Sequence, residues 1–224
     1  MRSQKLAAVA ATVAGCFLFL SGGVASRPGI VSAQDAATPD SAPVWFREDF
    51  STRANRWRLF DLGKAAITFE DSTLVLRANP ANYALWTIPD TDLKPDRYAM
   101  KVQVKLNGGD DDARAGMIIG YRTDSDMLVL AASRQGSVYL GRHYFGIWSD
   151  VIPPSQVSLE PDQPITLEAV LDSGHGLRLF ANSQPAGQTT LKDFQASRFG
   201  LYALSGQEGG IDAAFLSFTV SDSQ

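Results

Sequence analysis

Along residues 98–106 apolar and polar residues alternate without a break. Tyr98, Met100, Val102, Val104 and Leu106 fall on one side of an extended chain, and Ala99, Lys101, Gln103 and Lys105 on the other. A strand sends successive side chains to opposite faces, so this segment has one face for a core and one for water. That pattern belongs to antiparallel sheets, because parallel strands are covered on both faces and read as continuous apolar runs. Similar short runs follow at 66–69, 73–77, 83–88, 116–122, 127–133, 137–145, 165–171, 177–182, 198–203 and 214–220. Beyond residue 43 no stretch sustains a helical apolar period. Turn formers separate the runs: 108–112 (Gly-Gly-Asp-Asp-Asp), 124–126, Gln135-Gly136, and Asn182-Ser183 with Pro185-Ala186-Gly187. Short turns leave little room for crossover helices. The pattern predicts an all-β domain, a two-sheet antiparallel β-sandwich.

The first 33 residues do not share this pattern. Met1-Arg2-Ser3-Gln4-Lys5 is a short basic start, and 6–24 carries no charge and is mostly apolar. Small residues Val31 and Ala33 then stand where a signal peptidase reads, so 1–33 is expected to be a signal peptide cleaved after Ala33, with Ala25 as the alternative site. Two other readings stay open. The segment is long enough to be an uncleaved N-terminal anchor. Val13-Ala14-Gly15-Cys16 also matches a bacterial lipobox, with Cys16 as the lipidated residue. All three readings place the remainder outside the cytoplasm, secreted or held on the outer face of the membrane, with membrane contact only through this segment. Residues 34–43 read as a linker, and 44–224 as the β-sandwich domain.

Bulk numbers exclude several functions. The chain of 224 residues has 20 basic and 24 acidic residues, a formal charge of −4, and one Cys. An acidic balance argues against a nucleic-acid binder that neutralises phosphates. A single Cys allows neither an internal disulfide nor a Cys-rich zinc site.

The order of the motifs carries a resemblance. Phe50-Ser51 with Trp57 downstream, Asp71-Ser72-Thr73-Leu74-Val75-Leu76, and Ala115-Gly116-Met117-Ile118-Ile119-Gly120-Tyr121-Arg122 followed by Met127-Leu128-Val129-Leu130 open the series. Gly136-Ser137-Val138-Tyr139-Leu140, Leu177-Arg178-Leu179-Phe180-Ala181-Asn182, Phe199-Gly200-Leu201-Tyr202-Ala203 and 215–220 complete it. Over nearly all of 45–220 the chain resembles concanavalin A-like (laminin-G-like) jelly-roll sandwiches. That family includes lectin-like modules, glucan hydrolases and the domain associated with 3-keto-disaccharide hydrolysis. The resemblance implies a carbohydrate ligand or, as the alternative, hydrolysis of a 3-keto-disaccharide-like substrate. Relatives often carry an Asp beside the last strand; here Leu216 and Ser217 stand there.

Catalytic patterns are sparse. Retaining and inverting glycosidases need two carboxyl groups about 5–5.5 Å or about 6.5–9.5 Å apart. Glu168 and Asp172 would lie roughly 13 Å apart along one strand at its usual rise, and Glu168 is expected on the solvent face. Glu48 and Asp49 are adjacent and would point to opposite faces. No Gly-x-Ser-x-Gly elbow is present. His143 and His175 lack a nucleophile motif and read as surface or turn residues, although His143 sits where a groove could be lined. Asp110, Asp111, Asp112, Asp124 and Asp126 are hard oxygen donors on loops, the type calcium takes, without a complete calcium-loop pattern. No cofactor is expected, and calcium is the one metal this donor set suits. Ligand binding fits better. Sugars stack on aromatic rings and are oriented by planar polar groups. Tyr83, Trp86 and Tyr121 are available, and the densest aromatic-basic stretch is 142–148. The expected ligand-binding residues are Arg122, Arg142, Tyr144 and Trp148, and Trp57 is assigned to the core. The reading is an exported, non-catalytic module for a glycan or cell-surface polymer. A surface protein-interaction module is the third alternative.

Overall fold

The computed structural model describes residues 42–52, 56–91, 93, 96–160, 163–192 and 198–223. The expected export segment, Cys16 and most of the expected linker lie outside the described residues. Within them the chain is all β. In order the strands are β1 (Val44–Glu48), β2 (Phe60–Asp61), β3 (Ala65–Glu70), β4 (Thr73–Ala78), β5 (Ala84–Thr87), β6 (Tyr98–Gly109), β7 (Arg114–Thr123) and β8 (Asp126–Ser133). They continue as β9 (Ser137–Tyr144), β10 (Ile147–Asp150), β11 (Ser155–Gln156), β12 (Ile165–Leu171), β13 (Gly176–Ala181), β14 (Gln184–Thr190), β15 (Arg198–Leu204) and β16 (Ile211–Ser221). Sheet I runs β14-β13-β12-β6-β16-β4-β3-β2, with β1 also on β16; sheet II runs β10-β9-β8-β7-β15-β5, with β11 also on β9. Every pairing is antiparallel. The expected two-sheet antiparallel β-sandwich is the observed fold.

Alternation decides which residues fill the space between the sheets. Met100, Val102 and Val104 from β6 and Leu167, Ala169 and Leu171 from β12 face Ala115, Met117 and Ile119 from β7 and Leu130 and Ala132 from β8. These side chains are excluded from solvent. Each large one contributes about 1.5–3 kcal/mol through burial. The opposite face of β6 and β12 is wet, and there Lys101 pairs with Glu168 at 3.1 Å. Trp57 is buried as expected. It packs edge-on against Phe46 and Phe218, and Phe199 from sheet II meets Phe46 and Phe218 at 5.3 and 5.5 Å.

A bulge in β7 joins the sheets by hydrogen bonding. Ile118 faces Val129 and Gly120 faces Leu128, which leaves Ile119 as an extra residue in the β7–β8 ladder. Its carbonyl accepts from the Tyr98 hydroxyl of sheet I at 2.8 Å.

Three sequence expectations change. The run 137–145 ends earlier, because Phe145 and Gly146 both have positive φ and turn the chain into β10. Such a two-residue turn matches the twist of paired strands. Asn182-Ser183 forms the expected turn, with φ of 48° and 64°, but Pro185, Ala186 and Gly187 belong to β14. Proline is tolerated there because β14 is an edge strand. His143, expected at the surface or in a turn, is 7% exposed. His175 does sit in a turn, at φ 63°.

Candidate functional site

Sheet II has a second apolar face, turned away from sheet I. Ile118 from β7, Met127, Val129 and Ala131 from β8 and Tyr202 from β15 form its floor, all buried. Burial on an outer face needs a cover, and two tryptophans supply it. Trp86 stands on edge strand β5 and Trp148 on edge strand β10. Four strand spacings, about 19 Å in a flat sheet, separate β5 from β9 and β15 from β10. Yet the Trp86 ring comes within 6.3 Å of His143 on β9, and the Trp148 ring within 6.1 Å of Tyr202 on β15. Both indoles therefore reach inward across the face. His143 and Tyr202, 6.0 Å apart, complete a continuous row of rings.

Local sequence explains each placement. Trp148 pairs with His143 in the β9–β10 ladder and so shares its side of the sheet. Its indole lies over Gly141, where a Cβ would come within 2.1 Å of the ring. Glycine at 141 is thus the seat of Trp148. Above that seat the Arg114 guanidinium is clasped between the Tyr139 and Trp148 rings, 4.5 and 4.4 Å from their centroids. The Trp148 Nε1–H donates to Asp150 at 2.6 Å. At the other margin the Trp86 Nε1–H and the Tyr121 hydroxyl both donate to one oxygen of Asp124, at 3.1 and 2.7 Å. Tyr121 and Trp86 hold the Asp124 carboxyl below the usual range. Burial, with the Asp124 bond, pushes Tyr121 up to about 12.

The face is polar where it should be satisfied and is not. Arg114 Nε, Ser133 Oγ, His143 Nδ1 and the Tyr202 hydroxyl are buried without a hydrogen-bond partner. Ser133 lies directly opposite Arg114 in the β7–β8 ladder. A buried donor or acceptor left unpaired by the protein costs about 1–3 kcal/mol, and four of them gather on this one face. Two open cavities adjoin Trp86. One of about 360 Å³ is lined by Arg58, Phe60, Tyr83, Trp86 and Asp124. The other, of about 440 Å³, is lined by Arg56, Arg58, Trp86, Asp90, Tyr121 and Arg198.

The four residues expected to bind ligand divide between two faces. Leu140 points into the core, so Arg142 and Tyr144 lie on its side of β9. Arg142 makes a two-pronged pair with Asp126, at 2.7 and 2.6 Å, and its guanidinium rests 4.9 Å from the Tyr144 ring. Arg122 joins the same Asp126 at 3.8 Å. This partnership holds the Asp126 carboxyl below the usual range. Trp148 stands on the opposite, outer face. Arg114, Ser133, Tyr139 and Tyr202 were not singled out from sequence; the signal that could have found Arg114 is its position immediately before Ala115-Gly116 at the start of β7, in phase with Ile118.

The acidic loops have other partners. Asp110 and Asp112 accept from the backbone N–H groups of Glu208 and Gln207, at 2.8 and 3.2 Å. Among the described residues no group of three or more His, Cys, Asp or Glu is placed to hold a metal.

Burial lowers the His143 pKa below its ordinary value of 6.5, since the site disfavours the imidazolium. The unfolded chain then takes up this proton first. His143's contribution to stability is therefore complete above about pH 6.5 and is lost as pH falls through that value and the lower folded one. Calorimetric melting between pH 7.5 and 5 should show a falling Tm that His143→Gln flattens. Equal slopes in both proteins would refute a neutral, buried His143.

Two antiparallel sheets packed face to face, with an aromatic outer face on one of them, make this an all-β sandwich. No protein-family profile matches the chain, and no curated protein sequence matches it. Solved structures do. The carbohydrate-binding module CBM66 from Bacillus subtilis superposes with a TM-score of 0.57 at 12% identity, over 75% of this chain and 98% of that one. A Bacillus subtilis protein with a galectin-like fold gives 0.58 at 12%, over 80% and 96%. The carbohydrate recognition domain of Emp47p gives 0.54 at 15%, over 82% and 95%. The likeness to the GH43 enzyme BlXynB from Bacillus licheniformis covers 79% of this chain but 39% of that one.

Proposed function

We propose that the protein is an exported, non-catalytic β-sandwich that binds a glycan on the outer face of sheet II. The observation that carries this reading is the meeting of four rings and four unpartnered buried polar atoms on one face. Sugar rings present apolar C–H faces to aromatic side chains and hydroxyl edges to polar groups, and this face offers both. The names of the similar structures, a carbohydrate-binding module and a carbohydrate recognition domain, point the same way. Export rests on the basic and apolar order of the first 33 residues. The non-catalytic part rests on the carboxylates beside the rings, Asp124 and Asp150, each already accepting from an indole N–H.

The test is a glycan array followed by titration calorimetry on the best polymer. Trp86→Ala and Trp148→Ala should each weaken binding about tenfold or more, as losing a stacking ring does, while circular dichroism stays native. Binding that survives both substitutions would reject this face as the site. The protein-interaction alternative draws on the exposed tip of the β9–β10 hairpin, where Phe145 and Ile147 are 68% and 70% exposed. An empty array together with a co-purifying protein partner lost in Phe145→Ser would favour it.

A further inference from the structure

Building on the glycan reading, we infer that the ligand carries a carboxylate, as a uronic-acid sugar does, and that Arg114 receives it. The Arg114 guanidinium carbon lies 4.5 Å from the Tyr139 ring centroid and 4.4 Å from that of Trp148. A hydrogen-bond partner meets a guanidinium at its edge, where the N–H groups point. The Nε–H on that edge is buried and unpartnered. The Nε–H and the adjacent Nη–H form the pair that meets a carboxylate with two parallel hydrogen bonds.

The surroundings supply donors and withhold counter-charge. Ser133 sits across from Arg114 on β8, and Tyr202 lies on β15 beside Leu204, the residue opposite Arg114. Both hydroxyls are buried and unpartnered, and each can donate to a carboxylate oxygen. Among the described residues no carboxylate forms an ion pair with Arg114. Asp150, on the strand that carries Trp148, accepts from the Trp148 indole instead. The other arginines of sheet II show the contrast: Arg142 and Arg122 both share Asp126. A partly buried guanidinium whose Nε–H is shut off from water, with no anion beside it, is a costly arrangement that a ligand's anion would relieve. A neutral hydroxyl would fill the hydrogen bonds but not the charge.

The experiment compares three polymers by titration calorimetry at about 0.15 M salt, where exposed charges are screened beyond about 8 Å. They are polygalacturonate, the same polymer with its carboxyl groups reduced to alcohols, and a sulfated galactan. The expected result is binding of polygalacturonate about tenfold or more tighter than of the other two, the size of a charge-assisted hydrogen bond. Arg114→Lys keeps the charge and loses the planar fork, and should erase most of that preference. The wild-type comparison stands even if this variant folds poorly. Equal affinity for the acidic and the reduced polymer overturns the carboxylate and leaves the glycan reading intact. Equal or tighter binding of the sulfated polymer overturns it too, in favour of a general polyanion site. Failure to bind these polymers and every glycan on the array removes the glycan reading itself.

Discussion

Replacing Phe218 with alanine lowers the unfolding free energy by about 3–5 kcal/mol, the range for truncating a buried aromatic. The size follows from where the ring sits. Phe218 is fully buried on β16 of sheet I. It touches Trp57 from the loop before β2, Phe46 from β1, and Phe199 from β15 of sheet II. One side chain thus closes a cluster to which both sheets contribute, and little around it can collapse into the gap. Domains of this size have about 5–15 kcal/mol in total, so the variant should unfold at a much lower denaturant midpoint with an unchanged slope. Phe218→Leu should cost less, about 1.5 kcal/mol, because most of the volume stays. A Phe218→Ala loss below about 1 kcal/mol would mean that this cluster is not the keystone between the sheets.

Tyr202→Phe should move two measurements in opposite directions. The hydroxyl is buried, unpartnered, and shifted upward by burial. Removing it takes away an unsatisfied group and keeps the ring that packs against His143 and Trp148. Ligand-free stability should therefore rise, by up to about 1 kcal/mol. Glycan affinity should fall about tenfold or more, because the lost donor is one the ligand satisfies. Most substitutions that weaken binding also weaken the fold or leave it alone. A gain in one with a loss in the other separates a binding group from a structural one. If stability falls, the hydroxyl has a partner within the protein.

Much of the fold could be read in the chain because period-two alternation is strong in β6 and β12, where one face is core and the other water. The strands not anticipated, β1, β2, β10, β11 and β14, are short or lie at sheet margins. β14 also contains Pro185 and Gly187, which read as turn. The candidate site was less legible for a related reason. The stretch 142–148 is rich in aromatic and basic residues, but alternation splits it: His143 and Trp148 share one face, and Arg142 and Tyr144 take the other. Placing Trp148 required the two-residue turn at Phe145-Gly146, which fixes the register. Arg114 and Ser133 are at the ends of their strands, and only the ladder beyond the Ile119 bulge sets them side by side. Tyr202 was hidden in a segment, Gly200-Leu201-Tyr202-Ala203, whose neighbours on both sides serve the core.

Both tryptophans of the outer face stand on edge strands, β5 and β10. Edge strands are held by one neighbour and open locally at a fraction of the free energy needed to unfold the centre of a sheet. The two indoles that cover the face can therefore lift or settle while β7, β8 and β15 keep the floor fixed. On the glycan reading proposed above, the ligand meets a rigid base under adjustable covers, and its capture needs no disturbance of the core.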